Sequence, residues 1–179
     1  MQNNDGENYF LSINHSKGEN FSELNRKNSD NPVIGKVALK PRLRIAQIAP
    51  LREPDPPPAY GGIELVVSNL TDGLASLNHE VNLFASGDSQ TSAQLESVCS
   101  HTLHRISKTD YAIYKTLQIQ RVYAQGSEFD IVHSHMGLAA LPFTNQVNTP
   151  AVHTLHAPLM SDTHQIMRQL TTGLGDHLD

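Results

Sequence analysis

Leu43-Arg44-Ile45-Ala46-Gln47-Ile48-Ala49-Pro50 opens the ordered part of this sequence, and Tyr60-Gly61-Gly62-Ile63-Glu64 follows ten residues later. The first stretch is short, apolar and β-rich, and it stops at a proline, which describes a buried strand. Between the two stand Pro54, Pro56, Pro57 and Pro58. No regular element survives that many prolines, so residues 51–62 form a stiff loop with a glycine hinge. From Ile63 onward, Val66, Val67, Leu70, Leu74 and Leu77 recur at helical spacing and predict a helix that Asn78 ends. Strand, loop, glycine pair and helix in this order are the opening of a parallel α/β unit.

The pattern repeats toward the C-terminus. Glu80-Val81-Asn82-Leu83-Phe84-Ala85 alternates as a second strand and ends at Ser86-Gly87-Asp88. Residues 91–107 suggest a short helix and a strand around Leu103. Residues 110–125 read as a helix, with Asp110 near its start and Gly126 just past its end. Phe129-Asp130-Ile131-Val132-His133 is another short buried strand, with a helix expected over residues 137–147. Pro150-Ala151-Val152-His153-Thr154-Leu155 is one more strand, ending at His156-Ala157-Pro158. Strands alternating with helices imply a Rossmann-like, doubly wound parallel sheet.

Residues 1–41 differ. They are rich in Asn, Ser, Asp, Glu and Lys, and their hydrophobes (Phe10-Leu11, Phe21, Val33-Ile34) share no period. This composition predicts a disordered polar extension, with a docking peptide or short added helix as the alternative. The sequence therefore divides into an extension over 1–41 and one α/β domain over 42–179. The 179 residues, 38% of them hydrophobic, suffice for one core. A formal charge of -5 provides no broad basic surface, which argues against nucleic acid as a partner. After Arg121 the only cation is Arg168, while histidines become frequent. The single cysteine, Cys99, excludes an internal disulfide and reads as a structural thiol. With no apolar run near the roughly 18 residues that cross a bilayer, and no signal pattern, a cytoplasmic location is expected.

In an open parallel sheet, ligands bind beyond the carboxyl ends of the strands. Four features fall there: Gly61-Gly62, Ser86-Gly87-Asp88, His133-Ser134-His135 and His153-Thr154-Leu155-His156. The two glycines let a backbone approach a ligand, or they shape the turn into the helix; spacing alone does not choose. Neither a G-x-G-x-x-G fingerprint nor a phosphate loop is present. Glu64, in the first turn, suits the helix dipole. His133 and His135 are two apart and share a face of their strand, while His153 and His156 straddle a strand end. Imidazoles so placed can bond hydroxyls or phosphates, shuttle a proton, or ligate a metal as in hydrolases with His-x-His at a strand end.

Taken in order, Arg44-Ile45-Ala46-Gln47-Ile48-Ala49-Pro50, Tyr60-Gly61-Gly62-Ile63-Glu64, Phe84-Ala85-Ser86-Gly87-Asp88-Ser89, Phe129-Asp130-Ile131-Val132-His133-Ser134-His135 and Val152-His153-Thr154-Leu155-His156 resemble the N-terminal domain of glycosyltransferase family 4. The resemblance covers residues 43–158. It implies the acceptor-side half of a GT-B fold, in a family that transfers sugar from a nucleotide-sugar with retention and without a divalent metal. By the same resemblance His156 sits beside the reacting sugar as the catalytic candidate, and Gly61, Gly62, His133 and His135 are substrate-binding candidates. No cofactor or metal is expected.

The family's second domain carries an Arg/Lys pair and a glutamate pair for the donor, yet here no glutamate follows Glu128. The expectation is a truncated glycosyltransferase, inactive alone, whose donor domain would come from a partner chain. Its acceptor would be a sugar or a sugar-bearing molecule, with peripheral membrane contact open. Two alternatives stand beside it: a non-catalytic sugar- or phosphosugar-binding module, and a metal-dependent hydrolase using His133, His135 and His156.

Overall fold

In the computed structural model, residues 9–13 and 41–157 are described. Six strands form one sheet in the order β1-β6-β5-β2-β3-β4. They are β1 (Tyr9–Ile13), β2 (Arg44–Ile48), β3 (Glu80–Phe84), β4 (Gln94–Glu96), β5 (Ile131–Ser134) and β6 (Ala151–Leu155). The five strands from β2 onward are mutually parallel, and β1 runs antiparallel along β6. The chain steps from β2 outward through β3 to β4, then returns to the other side of β2 for β5 and β6. The β2/β5 boundary is therefore the switch point of a Rossmann-like α/β fold, as the strand-helix alternation predicts. Of the extension read as disordered, only Tyr9–Ile13 is described, as β1; its other residues, and those from 158 on, lie outside the described residues.

Two apolar layers fix the sheet. On one face Ala46, Ile48, Phe84, Val132 and Ala151 pack against Ile119, Val122 and Tyr123 of α2 (Lys108–Ala124). On the other, Ala49, Leu83 and Ala85 meet Val67 of α1 (Gly62–Ser76). Helix α2 starts with a reciprocal cap: the Asp110 amide donates to Ser107 Oγ, and that hydroxyl donates to the Asp110 carboxylate. Helix α1 ends at Asn78, whose φ of 68° is the left-handed turn that an asparagine tolerates.

The structure departs from the sequence reading in four places. Leu103 is not in a strand; it is buried, and its amide donates to the Leu51 carbonyl at 2.7 Å. The strand between Thr91 and Ser107 is β4, only three residues long, and no helix occurs there. Over 137–147 the helix is broken into a 3-10 turn, Gly137–Ala140, and the single α-turn α3, Leu141–Thr144, where Pro142 stands at the start. Finally, α1 is rotated from its apolar stripe: Glu64, Val67, Ser68 and Thr71 face inward, while Leu77 is 70% exposed. Drawing Glu64 inside turns Val66 outward, because residues two apart cannot share a helix face.

Candidate functional site

The switch point positions the site. Gln47 of β2 and His133 of β5 are register partners and share the sheet face opposite the one that Ala46 and Ile48 press under α2. Beyond Ser134 the pairing continues for one step, since the His135 amide donates to the Ile48 carbonyl at 3.0 Å. That bond ties the end of β5 to the end of β2 and sets His135 at the carboxyl edge.

Three of the four edge histidines come together there. His133 Nε2 is 2.8 Å from Thr154 Oγ1, and the His133 and His135 rings lie 4.3 Å apart between centroids. His135 Nδ1 is 2.8 Å from His156 Nε2, with the two rings stacked at 5.1 Å. A continuous row results: Thr154, His133, His135, His156. His135 is 4% exposed, whereas His133 and His156 are half-buried. His153 does not join them. Side chains alternate across a strand, so with Thr154 on the histidine side, His153 points to the other face. There it is fully buried, and its Nε2 bonds Thr144 Oγ1 at 2.9 Å, which in turn lies 3.4 Å from the Tyr123 hydroxyl. The four-histidine edge inferred from sequence is therefore a row of three plus one core residue.

The row is electrically neutral. Burial first, and the neighbouring His156 second, push His133 down to about 4. Burial, then the other two rings, push His135 down to about 3. Burial also lowers His156. Near pH 7 each ring thus offers one donor and one acceptor and no positive charge, which suits hydroxyl groups better than phosphate.

The two glycines have different surroundings. Gly61 has φ 153°, and a Cβ there would meet Pro57 Cβ at 2.7 Å; its conformation and its packing both require glycine. Its carbonyl accepts the Leu65 amide at 2.9 Å, starting α1. A Cβ on Gly62 would meet nothing within 4 Å. Glu64 is nearly enclosed, and burial raises its carboxyl above the usual range.

Beside it lies a residue that the sequence reading passed over. Asp55 is fully buried, both carboxyl oxygens lack a hydrogen-bond partner among the described residues, and burial followed by the charge of Glu64 pushes it up to about 8. Its backbone is fixed by bonds from its amide to Ser89 Oγ and from the Gln90 amide to its carbonyl. The one signal in the sequence was its setting, between two prolines immediately after the first strand. Ser86-Gly87-Asp88 is used internally: Ser86 Oγ is 3.2 Å from Ser89 Oγ, Gly87 donates to the Cys99 carbonyl, and Asp88 accepts from the Thr102 amide.

Among the described residues no group of three or more His, Cys, Asp or Glu side chains is arranged to hold a metal ion. The facing nitrogens of His135 and His156 are spent on each other. Among the described residues, too, no helix is long and apolar enough to cross a membrane.

A parallel sheet flanked by helices, with its polar row at the switch point, defines a Rossmann-like α/β domain. Comparison with known families then matches residues 60–177 to Glycosyltransferase Family 4. The chain belongs to that family, and its function is glycosyltransferase-like. No curated protein matches the chain.

Proposed function

We propose that residues 42–179 form the acceptor-side domain of a retaining, nucleotide-sugar-dependent glycosyltransferase. In this proposal the row His133-His135-His156 receives a sugar or sugar-bearing acceptor at the switch point through its half-buried members, His133 and His156, with the buried His135 between them. The observation that carries it is the neutral row itself, three imidazoles within ring contact at the carboxyl edge of β5 and β6. Neutral rings exchange hydrogen bonds with hydroxyls without the cost of burying a charge. His156, half-buried at the end of the row, is the residue that meets the reacting sugar. Gly61 and Gly62 border the acceptor rather than a diphosphate. The Glu64 carboxylate already occupies the first turn of α1, where it would repel an added dianion. A domain that supplies the donor, in the same polypeptide or a partner chain, completes transfer. Developing charge at the sugar is then met by fixed dipoles, not by a metal.

The test is a titration of the full chain with glucose, mannose and N-acetylglucosamine, and separately with UDP-glucose and GDP-mannose, following the histidine side-chain NMR signals. A saccharide that shifts His133 and His156 together, and whose binding weakens about tenfold in His156→Ala, supports the proposal. Turnover of a nucleotide-sugar by this chain alone would overturn the requirement for a separate donor-supplying domain. Stoichiometric zinc uptake through these histidines, or no saccharide response at all, overturns it.

A further inference from the structure

His135 and His156 are joined by one N–H···N hydrogen bond, so only one of the two facing nitrogens carries a proton. Two arrangements satisfy that bond. If His156 Nε2 donates, the proton of His135 sits on Nε2, a buried atom without a partner among the described residues. If His135 Nδ1 donates, that same buried Nε2 is a bare lone pair. A buried N–H with no acceptor is the rarer and costlier defect, and an under-used acceptor the more tolerable one. The second arrangement therefore wins. His156, whose Nε2 is then an acceptor, must carry its own proton on Nδ1, because a neutral imidazole has only one.

We propose that His135 is a positioning residue that fixes His156 in the Nδ1–H tautomer, so that His156 presents a hydrogen-bond donor to an oxygen atom of the bound ligand. His135 is itself too deeply enclosed to touch that ligand. It is held on three sides: its amide bonds the Ile48 carbonyl, its ring lies against His133, and its Nδ1 faces His156. His133 is braced in turn by Thr154. The row thus transmits the rigidity of the sheet to one ring at its edge, and the tautomer of that ring is set by the bond its inner nitrogen makes. The donor's role toward a sugar hydroxyl rests on the acceptor-site proposal above; the tautomer itself does not.

The experiment is long-range 1H–15N correlation spectroscopy on the full chain labelled with 15N-histidine, which separates Nδ1–H from Nε2–H rings. The wild-type protein is expected to show Nδ1–H at both His135 and His156, with scalar coupling across the His135 Nδ1 to His156 Nε2 bond. In His135→Phe, which keeps a ring and removes the donor, His156 is expected to move predominantly to Nε2–H. Saccharide affinity is expected to fall about tenfold although the substituted residue never meets the ligand. His156 protonated on Nε2 in the wild type would overturn the proposal without any variant being needed. So would an unchanged Nδ1–H ring in a folded His135→Phe. His135→Leu serves as a second apolar variant should the first not fold. If no saccharide binds but the tautomers are as stated, the acceptor proposal fails and this one stands. If a saccharide binds and the tautomers are reversed, only this one fails.

Discussion

Replacing Asp55 by Asn changes how the protein's stability depends on pH, and in a direction opposite to that of most buried carboxyls held by cations. In the fold the carboxyl is enclosed, unpartnered among the described residues and beside Glu64, and it titrates at about 8 against an ordinary 3.8. Below 3.8 it is protonated in both folded and unfolded chains and stability is unaffected. As pH rises, the unfolded chain ionises first and the fold must keep the proton, so stability is lost steadily until about 8. The slope for one such group is about 1.4 kcal/mol per pH unit. By pH 7 the interval travelled from 3.8 amounts to about 4 kcal/mol. Asn keeps the shape and carries no charge, and the two backbone bonds that place residue 55 do not involve the carboxyl. Urea unfolding of both proteins, followed by far-UV circular dichroism at pH 5, 6, 7 and 8, measures the difference. Asp55→Asn should be the more stable at every point, with a gap that widens by about 1.4 kcal/mol per unit. Histidine titration is common to both proteins and cancels in the difference. A gap that stays flat from pH 5 to 8, or a less stable variant, would refute the claim that this carboxyl is stored protonated.

Acid acts through the histidines with the opposite sign. His133, His135 and His153 resist protonation in the fold, to about 4, 3 and 4, but take it up near 6.5 when unfolded. Their contribution is complete above 6.5 and is lost as pH falls. In the Asp55→Asn background the unfolding free energy measured in urea should drop steeply below pH 6, by up to about 4 kcal/mol per pH unit for three groups. Gly61→Ala should cost about 2 kcal/mol through its φ and the Pro57 clash, whereas Gly62→Ala should be neutral or slightly stabilising. Thermal melts of the two variants check this. Thr144→Val strands the His153 Nε2 and the Tyr123 hydroxyl and should lose about 2 kcal/mol in urea, with the histidine row at the edge spectroscopically unchanged.

Elements with a strong period were legible in the sequence. The β2 and β3 strands and the α1 and α2 helices follow from local pattern, and their alternation gives a parallel, doubly wound sheet, though not its strand order. What failed was whatever depended on contacts distant in sequence. Leu103 has strand-like chemistry, but its partner is a loop carbonyl at Leu51 rather than a neighbouring strand. β4 is too short to show alternation, and Gln94 and Glu96 hide it. Helix α1 presents a persuasive apolar stripe that its own Glu64 overrides. In the site, spacing by two brought His133 and His135 together, and the turn after β6 brought His156 to them. The same alternation, applied to Thr154, would have removed His153 from the edge. Asp55 offered only its place between two prolines, and a lone acid in a proline-rich loop reads as solvated until the loop is seen to close over it.

The bond network at the β2/β5 boundary joins segments far apart in sequence. Arg44 and Asp130, which join the starts of those strands, are 86 positions apart, while β2, α1 and β3 are consecutive. Local pairings form quickly, and pairings across a long span must first meet the entropy of closing the loop. The sequence up to β4 carries the β2, β3 and β4 half of the sheet and none of the histidine row. The row comes into being only as β5 and β6 dock beside β2, so the contacts among His133, His135 and His156 are themselves the mark that this half of the sheet has closed.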